Sequence, residues 1–434
     1  MLPKSGSGHV KSSPERSAPK ILLVAEHASA VFGGEALIPY QYFKHLRKLD
    51  LDVHLLVHER TRKELLAAFS SDNERIHFVS DSLINILCYK IGKLMPDRLA
   101  VFTVGVISHF DTQMRQRNVV QSLQHKFRFD IIHEPIPVSP KLPSMLFGLS
   151  APVVIGPMNG GMDYPPNYKM DSVFERFIVR CFRLSAGFWN AVFPGKQRAA
   201  LLLVANKRTY DALPTTLKSK RIVEFVENGV DVNLFSPQAR LTPHKTFRII
   251  HIGRLVDVKR VDLLLAACSK LIGKLEFQLD LVGDGPLRGL LEAQAERLSL
   301  NRYVRFHGRL PQATAAELLR NADLMVLTSM RECGGAVVLE AMASGVPVIA
   351  AKWGGPADYV TADSGMLIPP ATPQVFVDEL TKVMIWMAQN ERERVMMGKA
   401  GRERATELYD WHRKARALVK IYRDVLVFGT PKAI

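Results

Sequence analysis

The sequence has few cysteines, and their spacing suits neither a metal site nor a disulfide framework. No two of them form a Cys-x-x-Cys pair. Scattered cysteines argue against structural zinc and against a disulfide-stabilised secreted domain, and they fit a reducing compartment. We therefore expect a cytoplasmic protein. The four cysteines are Cys88, Cys181, Cys268 and Cys333.

The chain also lacks a long apolar run. The longest, near Leu99–Ser108, is far shorter than the ~20 residues that a membrane-spanning helix needs. Residues 1–19 are rich in Ser, Pro and Gly and contain no apolar stretch, so they resemble a disordered tail rather than a signal peptide. We expect no transmembrane segment, which leaves a peripheral position at the cytoplasmic membrane face open.

Acidic residues are in short supply. Against 58 lysines and arginines there are 42 acidic residues, which gives a formal net charge of +16. This balance favours an anionic partner such as a nucleic acid, an acidic membrane surface or a phosphorylated substrate. No zinc-finger, RNP or basic-zipper pattern is present, so we expect no nucleic-acid partner.

Short apolar runs alternate with helical spacing in two series along the chain. They predict an α/β fold with two Rossmann-like, doubly wound domains, at 20–236 and 247–410, facing each other across a cleft. A polar linker with prolines separates them at 237–246, and a helix occupies the C-terminal stretch 411–434. The predicted strands are Lys20–Ala25, Leu51–Val57, Asp130–His133, Pro152–Ile155, Leu201–Ala205, Phe247–Gly253, Phe277–Val282, Val304–Phe306, Leu324–Leu327 and Val346–Ala350.

Two loops after strands of the second series have the composition of a phosphate site, since ligands of open α/β sheets bind beyond the carboxyl ends of the strands. Arg254 follows Gly253 at the first strand end, and Lys259 stands near the next helix start. Two cations beside a helix N-terminus suit a diphosphate; the alternative is a solvated helix start. Gly283 opens a Gly-Asp-Gly-Pro turn that would let a ligand approach the backbone, or is an ordinary turn.

A third loop carries two glutamates in a pattern that suits hydroxyl recognition. Glu332 follows the strand Leu324–Leu327 in a loop with Gly334 and Gly335, and Glu340 lies about one turn into the next helix among apolar residues. A buried glutamate is costly unless it accepts hydrogen bonds, and ribose hydroxyls would supply them. The alternative is a surface glutamate with an ordinary helical neighbour.

Together these segments resemble glycosyltransferase family 4, which has an E-x7-E signature, retains anomeric configuration and has the two-domain GT-B fold. The resemblance covers most of the chain, and the order and spacing of its motifs are specific. Besides the segments above, it rests on Gly33-Gly34, Asn228-Gly229-Val230-Asp231 with Phe235, and Gly354-Gly355-Pro356.

The resemblance implies a role for each matching residue of the donor site. Arg254 and Lys259 would neutralise the departing diphosphate, Glu340 would hold the ribose, and Glu332 would contact the donor sugar. Residues expected to lie against sugar, phosphate or base are Gly33, Gly34, Gly283, Gly334, Gly335 and Arg309. The last helix would cross back to the first domain.

The resemblance also implies the chemistry. The donor would be a UDP- or GDP-linked sugar, with no cofactor and no metal; no Asp-x-Asp motif ends a strand. A leaving-group oxygen would take the acceptor's proton. His133, followed by Glu-Pro at a strand end, resembles a histidine that lies near the donor sugar in membrane-associated members. His109 is the alternative.

The acceptor side is less familiar. Residues 174–185 place an aromatic face opposite a basic face, followed by Phe188, Trp189 and Phe193, which suits a membrane interface or a helix packed on its own domain. Leu83–Phe110 is a second apolar and basic candidate. In the Gly/Pro-rich loop that starts at Ile155, Asn159 and Asp163 are placed to bind acceptor hydroxyls, unless the loop is purely structural.

We therefore expect a hexosyltransferase that acts on a glycan or lipid-linked acceptor in polysaccharide or glycolipid biosynthesis, with an anionic membrane surface as a further partner. One alternative is a GT-B enzyme without an acceptor, such as a nucleotide-sugar epimerase. Another is a non-catalytic protein that binds sugar nucleotides or membranes.

Overall fold

The computed structural model describes residues 18–95, 100–168, 185–238 and 246–428. Nearly all of the predicted tail, most of the predicted linker and most of the amphipathic segment at 174–185 lie outside these ranges. The predicted α/β fold with two Rossmann-like domains is confirmed, since the structure contains one seven-stranded and one six-stranded parallel sheet.

The first sheet has the strand order β3-β2-β1-β4-β5-β6-β7. Alternate residues of β1 enter two different apolar clusters, Leu23 on one face and Leu22 on the other, because helices cover both faces. Its strands are β1 Ile21–Val24, β2 Val53–His58, β3 Ile76–Val79, β4 Ile131–Glu134, β5 Val153–Met158, β6 Leu201–Val204 and β7 Ile222–Glu224. Its helices are α1 Leu37–Arg47, α2 Arg62–Ala68, α3 Leu83–Gly92, α4 Val106–Phe127, α5 Gly195–Arg198 and α6 Lys207–Ala212; residues 185–192 are also helical.

The second sheet has the order β10-β9-β8-β11-β12-β13. It again separates two clusters, with Ile249 of β8 in one and Ile250 in the other. Its strands are β8 Phe247–Ile252, β9 Phe277–Val282, β10 Val304–Gly308, β11 Leu324–Leu327, β12 Val348–Ala351 and β13 Gly365–Ile368. Its helices are α7 Val261–Ser269, α8 Arg288–Arg297, α9 Gln312–Arg320, α10 Ala336–Ala343, α11 Gly355–Tyr359, α12 Pro373–Gln389 and α13 Glu391–Arg404.

The last helix, α14 (Trp411–Phe428), packs on the first domain. Trp411, Leu418 and Tyr422 are buried in the same apolar cluster as β1 and α1. This helix therefore ties the C-terminal end of the second domain to the core of the first. None of the described helices combines the length and the apolar character needed to span a bilayer.

Candidate active site

Four of the predicted site residues lie at the carboxyl edge of the second sheet, three on loops that follow neighbouring strands and one on the helix after such a loop. Arg254 lies two residues beyond β8, and Lys259 ends a 3-10 turn, Asp257–Lys259, before α7. Glu332 lies in the loop after β11, and Glu340 lies in α10. Because β8 and β11 are neighbours in the sheet, the fold brings cations and carboxylates from distant parts of the sequence to one edge.

Lys259 and Glu332 form an ion pair through Nζ and Oε2. Their side chains are 17% and 16% exposed, so the pair is partly buried but still reached by solvent. The Oγ1 of Thr328 donates to the carbonyl of Lys259 at 2.9 Å, and this bond fixes the lysine turn to the loop after β11. The two residues that were predicted to touch phosphate and sugar are thus direct partners of each other.

Arg254 is exposed at the same edge and makes no ion pair with any described residue. The loop that carries it is fixed, because the N–H of Gly253 donates to the carbonyl of Val282 at 2.9 Å and the N–H of Leu255 donates to that of Asp284 at 3.0 Å. A guanidinium on a fixed loop is well suited to bind an anion, since little further ordering is needed.

Glu340 lies on α10 and is largely buried. Burial raises the pKa of its carboxyl group to about 7, although a hydrogen bond with Gln312 of α9 acts in the opposite direction. Part of the residue remains accessible to solvent. A carboxylate held this way gains from hydroxyl donors that favour its charged form.

Glycine stands at the predicted donor-site positions for different structural reasons. Gly33 and Gly34 have φ of +69° and +58°, and a Cβ on either would meet no atom within 4 Å, so the space in front of this loop is open. A Cβ on Gly283 would run into the carbonyl of Gly253. Backbone packing between two loops therefore accounts for the glycine at 283, and its expected role of admitting a ligand stays a prediction.

The loop around Glu332 needs glycine for two reasons. Gly335 has φ of +78°, and a Cβ on Gly334 would collide with the side chains of Glu227 and Asn228 from the first domain. Gly334 therefore lies where the two domains meet, directly beside the Lys259–Glu332 pair.

Arg309 spans the cleft. Its guanidinium donates to the carbonyl of Val31, in the loop that contains Gly33 and Gly34. Glu64 holds the same loop: it accepts from the Oγ of Ser29 at 2.5 Å and from the N–H of Ala30 at 2.6 Å. Arg309 thus joins the two domains, and its contact with a base stays a prediction.

Asn159 is buried and joins the domains. Its Nδ2 donates to Glu227 Oε1 at 2.5 Å and to the carbonyl of Cys333 at 2.9 Å, so it holds the residue next to Glu332. A second link joins Arg208 and Asp358 at 3.0 Å. This placement does not support the prediction that Asn159 binds an acceptor; it is a positioning residue.

Asp163 borders a cavity of about 480 Å³ that is also lined by Arg208 and Asp358. Its carbonyl accepts from Trp353 Nε1 at 2.8 Å. Tyr164 and Lys352 line it as well, and the combination of aromatic and charged groups is compatible with the predicted hydroxyl binding.

His133 does not reach the cleft. It is 0% exposed; Nδ1 lies 2.6 Å from the hydroxyl of Tyr422 in α14, and Nε2 lies 2.5 Å from the carbonyl of Gly156. Burial lowers its pKa to about 4. Both ring nitrogens are used inside the first domain, so the prediction that His133 lies near the donor sugar needs correction. Its partner Tyr422 lies 289 positions away, and no local pattern could have revealed it.

The alternative, His109, lies in a group of polar residues at the carboxyl edge of the first sheet. Its Nδ1 is 2.9 Å from Glu26 Oε2, and its buried Nε2 has no partner among the described residues. Burial opposes ionisation of Glu26, but the hydrogen bond and charge of His109 outweigh it and lower the pKa of Glu26. We name this group the edge cluster; it consists of Glu26, His27, His58, Asp81 and His109.

The sequence analysis did not single out the other four members of the edge cluster. Glu26 and His27 come within three residues of the end of β1, and His58 is the last residue of β2. The rule that ligands bind beyond strand ends would have found them. Burial lowers the pKa of both His27 and His58, so these imidazoles are neutral at pH 7 and can exchange hydrogen bonds with hydroxyls.

Comparison with known protein families gives a match for the second domain. Residues 234–404 match the family described as glycosyl transferases group 1. Among curated relatives, the MMP alpha-(1->4)-mannosyltransferase of Mycolicibacterium hassiacum is 29% identical over 233 residues, 53% of this chain and 55% of that protein. The D-inositol 3-phosphate glycosyltransferase of Segniliparus rotundus is 33% identical over 220 residues, 48% of each.

A longer match is to the sulfoquinovosyl transferase SQD2 of Arabidopsis thaliana, 29% identical over 309 residues, 66% of this chain and 55% of that protein. The chain thus spans about half the length of the curated relatives it matches.

Solved structures resemble the whole chain. Anabaena Alr3699/HepE in complex with UDP has a TM-score of 0.64 at 18% identity, covering 92% of this chain and 98% of that one. Sucrose-phosphate synthase from Thermosynechococcus elongatus has a TM-score of 0.64 at 18% identity, covering 94% and 99%. The fold of this chain is therefore GT-B, and its residues 234–404 carry the sequence pattern of the group 1 glycosyltransferases.

Proposed function

We propose that this protein is a glycosyltransferase that moves a hexose from a UDP- or GDP-linked donor to a glycan or lipid-linked acceptor in polysaccharide or glycolipid biosynthesis. The observation that carries the proposal is the placement of Arg254, Lys259, Glu332 and Glu340 at one edge of the second sheet. Two cations next to two carboxylates suit a ligand that has a diphosphate between two hydroxyl-rich sugars, as a sugar nucleotide does.

The Lys259–Glu332 ion pair suggests the order in which the parts of the ligand would bind. A diphosphate would compete with Glu332 for the Lys259 ammonium, since both are anions. Glu332 would then be released toward the sugar hydroxyls while Lys259 and Arg254 neutralise the phosphates. Positive charge fixed where negative charge develops on the leaving group is a large contribution to catalysis.

We place the chain in glycosyltransferase family 4, with Glu332 and Glu340 as its E-x7-E pair, with retention of anomeric configuration and without a metal cofactor. In the transfer step the bond from the anomeric carbon to the diphosphate breaks and the bond to the acceptor oxygen forms on the same face. The acceptor's proton passes to the departing phosphate oxygen, so atoms and charge balance without a protein nucleophile.

The edge cluster is the proposed acceptor side. Glu26 and His109 offer a carboxylate and an unpartnered imidazole nitrogen. The cluster adjoins the loop of Gly33 and Gly34, because the ring of His27 lies 6.0 Å from that of Phe32. Imidazole nitrogens and carboxylates are suitable partners for hydroxyl groups. With His133 buried, His109 is the histidine that we propose for the active site.

Product analysis tests the proposal against its rivals. Incubation of the sugar nucleotide that binds, first alone and then with glycolipid extract, should give a sugar-containing product only with the extract, and the new linkage should keep the donor's anomeric configuration. Conversion of the donor alone to an epimer would favour an epimerase. Binding without any product would favour a non-catalytic protein.

The pKa of Glu340 predicts how donor binding depends on pH. The carboxylate form accepts ribose hydroxyls, and its pKa is about 7 in the unliganded protein. Affinity for a sugar nucleotide should therefore fall as pH falls through 7, by about tenfold between pH 8 and pH 6. Glu340→Gln removes the titration and should flatten the curve.

Calorimetry at fixed ionic strength measures this dependence. A sugar nucleotide is the suitable ligand, because its bridging phosphates have no proton to exchange near pH 7, whereas a free terminal phosphate titrates near ~6. The same pH dependence in wild type and Glu340→Gln would contradict the role given to Glu340.

A further inference from the structure

The helix α3 has its apolar side facing solvent. Leu83 is 86% exposed, Leu87 58% and Tyr89 61%, whereas the only buried residues of the helix are Asn85 and Cys88. Helices of a globular protein normally pack their apolar side against the core. In α3 the apolar side faces solvent instead, so it is available to a partner other than the protein's own core.

Polar bonds fix α3 in this orientation. The side-chain amide of Asn85 donates to the hydroxyls of Ser108 at 2.9 Å and Thr112 at 3.1 Å, both on α4. Ser82 caps the helix and donates to Asp111 at 2.6 Å. Rotation of α3 to hide its leucines would bury the apolar side against α4 and leave these polar groups unpaired, which is unfavourable for buried polar groups.

Further apolar side chains extend the surface. Leu94, just beyond α3, is 88% exposed, and Ile107 on α4 is 54% exposed. We name as the apolar face the exposed apolar side chains of α3 together with Leu94 and Ile107. Its members are Leu83, Ile84, Ile86, Leu87, Tyr89, Ile91, Leu94 and Ile107.

The charges around the apolar face select its partner. Helix α3 has no acidic residue. Lys90 on the helix and Lys93 directly after it are exposed, and Lys93 Nζ lies 4.5 Å from the centre of the Tyr89 ring. In a symmetric contact between two copies these lysines would approach each other, which is unfavourable. An anionic lipid surface accepts both the apolar side chains and the lysines.

We propose that the apolar face binds the surface of an anionic lipid bilayer, with α3 lying in the interface. Two residues before α3, Asp81 belongs to the edge cluster and pairs with Arg60 at 2.5 Å. Docking through α3 therefore sets the edge cluster at the level of the lipid headgroups. If the proposed function holds, the acceptor is an amphiphile whose hydroxyl-bearing head enters from the bilayer.

Vesicle flotation tests the docking. The full chain should float with vesicles of equal phosphatidylglycerol and phosphatidylcholine, more strongly at low salt than at high salt, because salt screens only the lysines. Leu83→Glu with Leu87→Glu should reduce the floated fraction at least tenfold. Both side chains are exposed, so the fold should tolerate the change.

A matched pair on the second domain is the control. Leu290 and Val395 are 68% and 61% exposed, and changing both to glutamate should leave flotation unchanged. Failure of the wild type to float at either salt concentration would overturn the proposal, as would equal flotation of the Leu83/Leu87 variant. A concentration-dependent dimer that this variant breaks, seen by sedimentation, would assign the face to a second copy instead.

Nucleotide binding separates this proposal from the proposed function. The Leu83/Leu87 variant should keep the nucleoside diphosphate binding of the wild type, because α3 lies on the other domain. Flotation without any nucleotide binding would support membrane docking and reject the donor site. Nucleotide binding without flotation would support the donor site and reject membrane docking.

Discussion

Replacing Lys259 with alanine should lower turnover of the sugar nucleotide by about 100- to 1,000-fold, the range seen when a group that stabilises transition-state charge is removed. The variant loses one of two cations at the leaving diphosphate. It also leaves Glu332 without its ion-pair partner. The initial rate of nucleoside diphosphate release, measured with the acceptor extract present, gives the effect.

Lys270→Ala is the matched control. Lys270 pairs with Asp378 at 2.5 Å on the surface of the same domain, and exposed pairs of this kind contribute little to stability. This variant should turn over at the wild-type rate. If Lys259→Ala also stayed within about threefold of wild type, the assignment of the phosphate clamp would be wrong.

Glu332→Ala should reduce transfer by about 100-fold, because the sugar loses a carboxylate that accepts its hydroxyls. Its effect on binding should be selective. Affinity for the sugar nucleotide should fall, whereas affinity for the bare nucleoside diphosphate should stay the same or rise, since Lys259 is released to the phosphates. Glu340→Ala should weaken both ligands, because both contain the ribose.

Calorimetry with the two ligands on the two variants separates these roles. Glu379→Ala, which removes an exposed partner of Lys382, serves as the control and should change neither affinity. Unchanged transfer in Glu332→Ala would contradict the proposed enzyme. Equal loss of both ligands in Glu332→Ala would contradict the division of roles between the glutamates.

The strands that sequence patterns identified are mostly those in the interior of the sheets. Ile21–Val24 and Leu324–Leu327 are buried at every position, so their sequences are continuous apolar runs. The three strands that were missed, β3, β7 and β13, all lie at sheet edges. Their half-buried positions include His77 and Phe78 in β3, and such mixed sequences do not stand out from loops.

The positions of Arg254, Lys259 and Glu332 beyond strand ends were predictable because glycine turns and charged residues follow apolar runs. Their mutual contacts were not. Lys259 and Glu332 are 73 positions apart, and each was predicted to touch a ligand rather than the other. Asn159 and His133 were misjudged for a related reason, because whether a polar side chain is buried depends on distant partners such as Glu227 and Tyr422.

The apolar face illustrates the same limit. The sequence between Leu83 and Phe110 indicated an apolar and basic segment but could not say which side would be exposed. Asn85 determines which side is exposed, because its amide donates hydrogen bonds to α4 and the leucines therefore face solvent.

The proposed donor site is tested most directly by a thermal-shift screen of nucleoside diphosphates and their sugars. A ligand that binds only the folded state at 100 times its Kd stabilises it by about 2.7 kcal/mol. UDP or GDP, with the matching sugar nucleotide, should raise the Tm of the wild type, and both Lys259→Ala and Glu340→Ala should remove most of the rise. No shift with any of these ligands, or a full shift in both variants, would contradict a nucleotide-sugar site at this edge of the second sheet.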